Sequence, residues 1–85
     1  MYSVESEIIA AQQLAALPAE ALPFYAELMT VLETAPWSGE AYNRRRPDGN
    51  MRTHVFGKHG EGLVNYLILE DQRRVVVLRV LWFAP

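Results

Sequence analysis

From residue 51 onward, three largely apolar runs, Met51–Phe56, 63–69 and 75–83, are separated by short polar connections. Each has the length and the β-branched and aromatic content of a strand. Residues 57–62 carry Gly57, Gly60 and Gly62, and glycine tolerates the positive φ that a tight hairpin requires. Residues 70–74 make a charged connection of ordinary loop length. The pattern predicts an antiparallel three-stranded meander.

Alternation divides each strand into two sets of side chains. In the last strand Val76, Leu78, Val80 and Trp82 oppose Val75, Val77, Arg79, Leu81 and Phe83. In the middle strand Val64, Tyr66 and Ile68 oppose Leu63, Asn65, Leu67 and Leu69; in the first, Met51, Thr53 and Val55 oppose Arg52, His54 and Phe56. The more apolar sets are expected to meet the helices. The mixed sets, with Arg52, His54, Asn65 and Arg79, are expected to share the uncovered face, register permitting. Such a face is either an ordinary wet side of an antiparallel sheet or, given its residual Leu and Val, a surface for a partner or nucleic acid.

The N-terminal half is expected to supply the cover. Residues 1–5 alternate and predict a fourth strand, and Ser6 is placed to cap a helix running to about Leu17. Ile8, Ala11, Leu14 and Ala15 are the expected inward stripe of that helix, with Gln12 outward. Pro18 marks the corner. A second helix ends near Ala35, because Pro36 lacks the amide needed to continue it. Its stripe is Leu22, Tyr25, Met29 and Leu32, widened by Phe24, Leu28, Val31 and Ala35, and Pro23 marks either its start or a kink. Residues 36–49, rich in turn formers, read as a long loop in which Trp37 pins the chain to the core. Tyr42 and the run Arg44, Arg45, Arg46 interleave an aromatic with cations, a composition suited to stacking and phosphate contacts. Lys58 and His59 add charge in the first hairpin. The expected fold is therefore α+β: one domain, 1–85, with an N-terminal strand and a two-helix hairpin packed on an antiparallel sheet of three to four strands.

Charge sharpens this division. The net charge is −2, but residues 1–40 hold six acidic groups and no Lys or Arg, whereas residues 41–85 hold eight basic groups against four acidic. An anionic partner is expected on the sheet half. Cysteine is absent, which excludes disulfides and thiolate metal sites. The two histidines, His54 and His59, have no carboxylate or imidazole set at metal-ligand spacing, so no metal and no cofactor are expected. No apolar run reaches membrane-spanning length and no signal sequence is visible, so a cytoplasmic protein without a membrane partner is expected.

One acid–base possibility remains. His54 could in principle accept or donate a proton, with Arg52 and Arg79 stabilising a phosphorane-like charge beside it. These three are the candidate catalytic residues, with Arg44, Arg45, Arg46, Lys58 and His59 as candidate nucleic-acid contacts. A solvated polar face accounts for the same residues without chemistry.

Several stretches together resemble the RelE/ParE superfamily of toxins from type II toxin–antitoxin systems. They are residues 14–18 (LAALP), residues 35–39 (APWSG), and the sheet runs 50–57, 62–67 and 74–82. The chain looks like a short actinobacterial-type member. The resemblance implies a toxin-like component, either a ribosome-dependent, metal-independent mRNA endonuclease or an RNA-binding protein, neutralised by an antitoxin protein. Leu63 stands where the nuclease branch commonly carries Arg, three residues before the middle-strand Tyr, and Leu81, Trp82 and Phe83 occupy the usual basic end of the last strand. These departures keep two alternatives open, a catalytically silent interaction module with the same fold and a gyrase-directed toxin.

Overall fold

The computed structural model describes residues 1–83. Its regular elements are β1 (Ser3–Ser6), α1 (Ile8–Ala15), α2 (Leu22–Thr34), β2 (Glu40–Ala41), β3 (Met51–Phe56), β4 (Gly62–Leu69) and β5 (Arg74–Trp82). They build a five-stranded sheet in the order β1-β5-β4-β3-β2. β1 runs parallel to β5, and every other pair is antiparallel. The expected α+β architecture is observed, and the two-residue β2 lengthens the sheet from within the stretch expected to be loop.

Both helices cover one face. Ala10, Tyr25, Leu28 and Leu32 pack there against Phe56, Val64, Tyr66, Ile68, Val75, Val77 and Val80, all buried. Pro23 falls in the first turn of α2, where its missing amide costs nothing, and a 3₁₀ turn over Ala19–Ala21 leads into it. Of the expected α2 stripe, Tyr25 and Leu32 are buried while Leu22 is exposed.

Two expectations about α1 are corrected. Ser6 belongs to β1, and it is the Glu7 side chain that caps α1 by accepting from the Ile9 amide. The helix is also turned relative to the expected stripe. Ala10 is its buried residue, whereas Ile8 is 68% and Ile9 56% exposed. The small Ala10 lets the helix approach β5, and Gln13 is brought to the Val80 amide, which its Oε1 accepts at 2.7 Å. β1 ends opposite Val77, so this amide lies beyond the reach of a neighbouring strand.

β5 also departs from simple alternation. Tyr66 pairs with Val77, but the preceding Asn65 pairs with Arg79, so Leu78 is an extra residue. Such a bulge shifts the phase of side chains beyond it. Val75 and Val77 before it, and Val80 after it, all point to the helices. Arg79 therefore lies on the opposite face from Val75 and Val77, not with them as uninterrupted alternation implied. In the β3–β4 hairpin Gly57 and Gly60 take φ of 104° and 73°, as the turn requires.

Candidate functional site

Register decides which polar groups meet. Side chains directly opposite in neighbouring strands share a face. Arg52 pairs with Tyr66 and His54 with Val64, both buried under the helices. Asn65 pairs with Thr53 on one side and Arg79 on the other. The four polar groups expected on one face thus divide: Arg52 and His54 lie on the helix side, Asn65 and Arg79 on the open side. The physical reason is that β3 places Thr53 opposite Asn65, a register that strand patterning alone leaves undetermined.

Arg52 is occupied by the backbone. Its Nε donates to Gly39 O at 3.0 Å, its Nη1 to Pro47 O at 2.8 Å and Gly49 O at 3.1 Å, and its Nη2 to Trp37 O at 3.4 Å. The guanidinium also lies 5.4 Å from the centre of the Trp37 ring. Tyr66, fully buried, donates its hydroxyl to Pro36 O at 2.5 Å, and burial pushes its pKa up. Between them these two side chains hold residues 36–49 against the sheet. Gly39 passes so close to the Tyr66 hydroxyl and Thr53 O that a Cβ there would collide with both.

His54 opens elsewhere. It lines a cleft of about 200 Å³ with Phe24, Glu27, Val31 and Val55, between α2 and the outer edge of β3. Its Nδ1 lies 2.9 Å from Val55 O, a donor contact only in the Nδ1–H tautomer. Arg52 and His54 therefore share a strand face with each other but not with Arg79.

A second anchor lies at the β4–β5 turn. Glu70 accepts from the Tyr2 hydroxyl at 2.6 Å, Trp37 Nε1 at 2.8 Å and Arg73 at 2.9 Å. These hydrogen bonds, that from Tyr2 foremost, hold its carboxyl down at about 2. Arg73 adopts φ of 52° and stacks 4.4 Å over the Tyr2 ring. Trp37 holds the loop through this surface carboxylate and not by packing into the core as expected, and its ring stays 39% exposed.

The face without helices is the candidate site. Met51, Val55, Leu63, Leu67, Val76 and Leu81 lie on it by register, all partly or largely exposed. Thr53, Asn65 and Arg79 cross it in one row, with Thr53 Oγ1 donating to Asn65 Oδ1 at 3.0 Å. Arg79 is exposed, and the ion pairs among the described residues, Arg73–Glu70 and Arg74–Glu5, leave it out. Arg44, Arg45 and Arg46 are exposed at one end of the face. There Arg46 and Tyr42 border a depression of about 280 Å³ with Met51 and Leu67. Lys58 and His59 stand in the hairpin at the other end; the length of β3, about 17 Å, separates the two groups. The His59 amide donates to Glu61 and lowers its pKa. Sequence reasoning missed Thr53 and Glu40. Strand composition sets Thr53 with the helix-facing side chains, and the two-residue β2 is too short to show a period.

With this geometry established, comparison with known proteins places the fold. No protein-family model and no curated protein matches the sequence. Among solved structures, the E. coli RelBE toxin–antitoxin complex contains a chain matching at a TM-score of 0.77 and 11% identity, over 100% of this chain and 99% of that one. The isolated E. coli RelE toxin matches at 0.73 and 15%, covering 100% and 87%. The toxin–antitoxin complex RelBE2 from Mycobacterium tuberculosis matches at 0.65 and 21%, covering 99% and 93%. The described residues have the RelE toxin fold. Among the described residues no group of three potential metal ligands is assembled, and no helix is long and apolar enough to cross a membrane.

Proposed function

We propose that this protein is the toxin-like component of a type II toxin–antitoxin pair, acting in the cytoplasm, with the open sheet face as its working surface. The observation that carries this reading is an aliphatic face left bare on a chain that matches RelE over its whole length. An antitoxin protein covers that face in the neutralised state, burying Met51, Val55, Leu63 and Leu67. Released from it, the chain offers Arg79, Tyr42 and Arg44, Arg45 and Arg46 to RNA or to the ribosome. Cations near an aromatic suit single-stranded RNA, through phosphate contacts and base stacking.

Binding is better supported than cleavage. A concerted Arg52–His54–Arg79 site would need all three around one phosphate, and the register sets the first two on the other side of the sheet. The hydrogen bonds from Arg52 to four backbone carbonyls further withdraw it from substrate. This separation favours, as a second reading, a silent module that keeps the fold and the antitoxin-binding face only.

Induced expression in a bacterial host, with growth curves and primer-extension mapping of mRNA, separates the readings. Growth arrest relieved by Arg79→Ala combined with replacement of Arg44, Arg45 and Arg46 supports RNA engagement. In vitro, four phosphate contacts give an RNA affinity falling with log salt at a slope of about −3. Normal growth together with salt-insensitive or absent RNA binding would leave the silent module.

A further inference from the structure

Register aligns four residues straight across the open face: Glu40 of β2, Thr53 of β3, Asn65 of β4 and Arg79 of β5. Neighbouring strands lie about 4.8 Å apart, so Glu40 and Arg79 stand roughly 14 Å apart at the ends of this row. They cannot pair with each other, and neither belongs to an ion pair among the described residues. On the hairpin side of the row lie Val55, Leu63 and Leu81; on the other lie Met51, Leu67 and Val76. A polar row with opposite charges at its ends therefore runs between two aliphatic rows.

We infer that this face is self-complementary and that a second copy of the chain occupies it. Consider a two-fold axis along the strands, midway between Thr53 and Asn65. It lays β2 over β5 of the second copy and β3 over its β4, with the inclination that sheet twist imposes. Glu40 then meets Arg79 of the second copy, and the symmetric contact repeats at the far end of the row. Thr53 meets Asn65, Val55 meets Leu63 and Met51 meets Leu67. Every residue in the middle of the face finds a partner of matching chemistry through one operation, and the assembly closes at two copies. Like charges at the two ends of the row would have repelled under the same symmetry.

Four strands by three rows give roughly 400 Å² per copy, about 800 Å² in total, below the size of most stable interfaces. The dimer is accordingly weak, with a dissociation constant on the order of 10–1000 μM, and the end charges set its register more than its strength. Its consequence is regulatory. At chain concentrations near or above that dissociation constant, the second copy masks the face proposed above for RNA and antitoxin, and either must displace it. The inference uses the same face as the proposed function but does not depend on it, because self-association is measured on the isolated chain without RNA or antitoxin.

Sedimentation velocity from roughly 10 μM to 1 mM tests it, since that range brackets the affinity expected for so small an interface. The average mass should rise above the 9.7 kDa of one chain. Glu40→Arg and Arg79→Glu should each weaken the dimer about tenfold or more. The double variant, and an equimolar mixture of the two single variants, should each restore it, because both recreate opposite charges at each end. Leu63→Glu should abolish it independently of the end charges. Circular dichroism confirms that each variant folds. A monomer across the whole range, a dimer indifferent to both charge reversals, or a double variant as weak as the singles would overturn the inference.

Discussion

Replacing Arg52 by Ala tests whether this arginine belongs to the scaffold or to chemistry. The cost follows from what its guanidinium holds. Pro47 is exposed, so its carbonyl finds water once the arginine is gone, and Gly49, only partly covered, can largely do the same. Gly39 is buried, and its carbonyl, 3.0 Å from Nε, is left without that donor. An unsatisfied buried carbonyl costs about 1–3 kcal/mol, and loss of the partly exposed stack on Trp37 adds about 0.5–1 kcal/mol. The sum, about 1.5–4 kcal/mol, lowers the melting midpoint of a chain this size by roughly 6–30 °C. Arg52→Lys should recover only part of this, because one ammonium cannot reproduce the planar fork. Trypsin supplies a local readout, since Arg44, Arg45 and Arg46 lie in the segment that Arg52 holds. Cleavage there should accelerate in Arg52→Ala under conditions where the protein remains folded. An unchanged melting midpoint with an unchanged tryptic rate would refute the scaffold role.

Three further outcomes follow from the same contacts. Tyr66→Phe strips the buried Pro36 carbonyl of its donor and should cost about 1–3 kcal/mol by urea denaturation, with little change in m-value. Gln13→Ala leaves the part-buried Val80 amide without its acceptor, a loss of about 1 kcal/mol, whereas Gln12→Ala on the exposed side should be neutral. Glu70 has a carboxyl lowered to about 2, so its contribution is complete above the ordinary carboxylate range and is lost as pH falls from about 4.5 toward 2. Glu70→Gln should flatten the fall in melting midpoint across that window, and an unchanged pH profile would contradict the role of the Tyr2–Trp37–Glu70–Arg73 cluster.

The strands were legible because their apolar, β-branched and aromatic runs are long and their turns are marked by glycine or charge. The faces were only half legible. β4 reads correctly from its own pattern, since Val64, Tyr66 and Ile68 are far more apolar than Leu63, Asn65 and Leu67 taken together. β3 does not, because Met51, Thr53 and Val55 are no less apolar than Arg52, His54 and Phe56; pairing with β4, not composition, orients it. The α1 segment contains two overlapping helical stripes, one through Ile8, Ala11 and Ala15 and one through Ala10, Leu14 and Leu17. Hydrophobicity favours the first. Close approach to β5 and the Val80 amide select the second. β2 was invisible because two residues cannot display a period.

The Leu78 bulge has the largest effect on the candidate site, and it changes the meaning of the basic residues. With Arg52 turned inward by register, Arg79 on the face of Val75 and Val77 would have been a second cation beneath the helices, with no carbonyl cluster like that of Arg52 to receive it. Burying it there without partners would have been costly. One inserted residue moves it to the open side, opposite Asn65, while keeping Val80 in the core. The two arginines from different strands thus serve different ends. Arg52 spends its donors on backbone carbonyls and fixes the loop that carries Arg44, Arg45 and Arg46, so it acts on any ligand only through that loop. Arg79 retains its charge at the surface, among aliphatic side chains that sharpen its field. A ligand on the open face therefore meets one fixed cation in the sheet and a cluster at its border, an arrangement suited to recognition more than to bond cleavage.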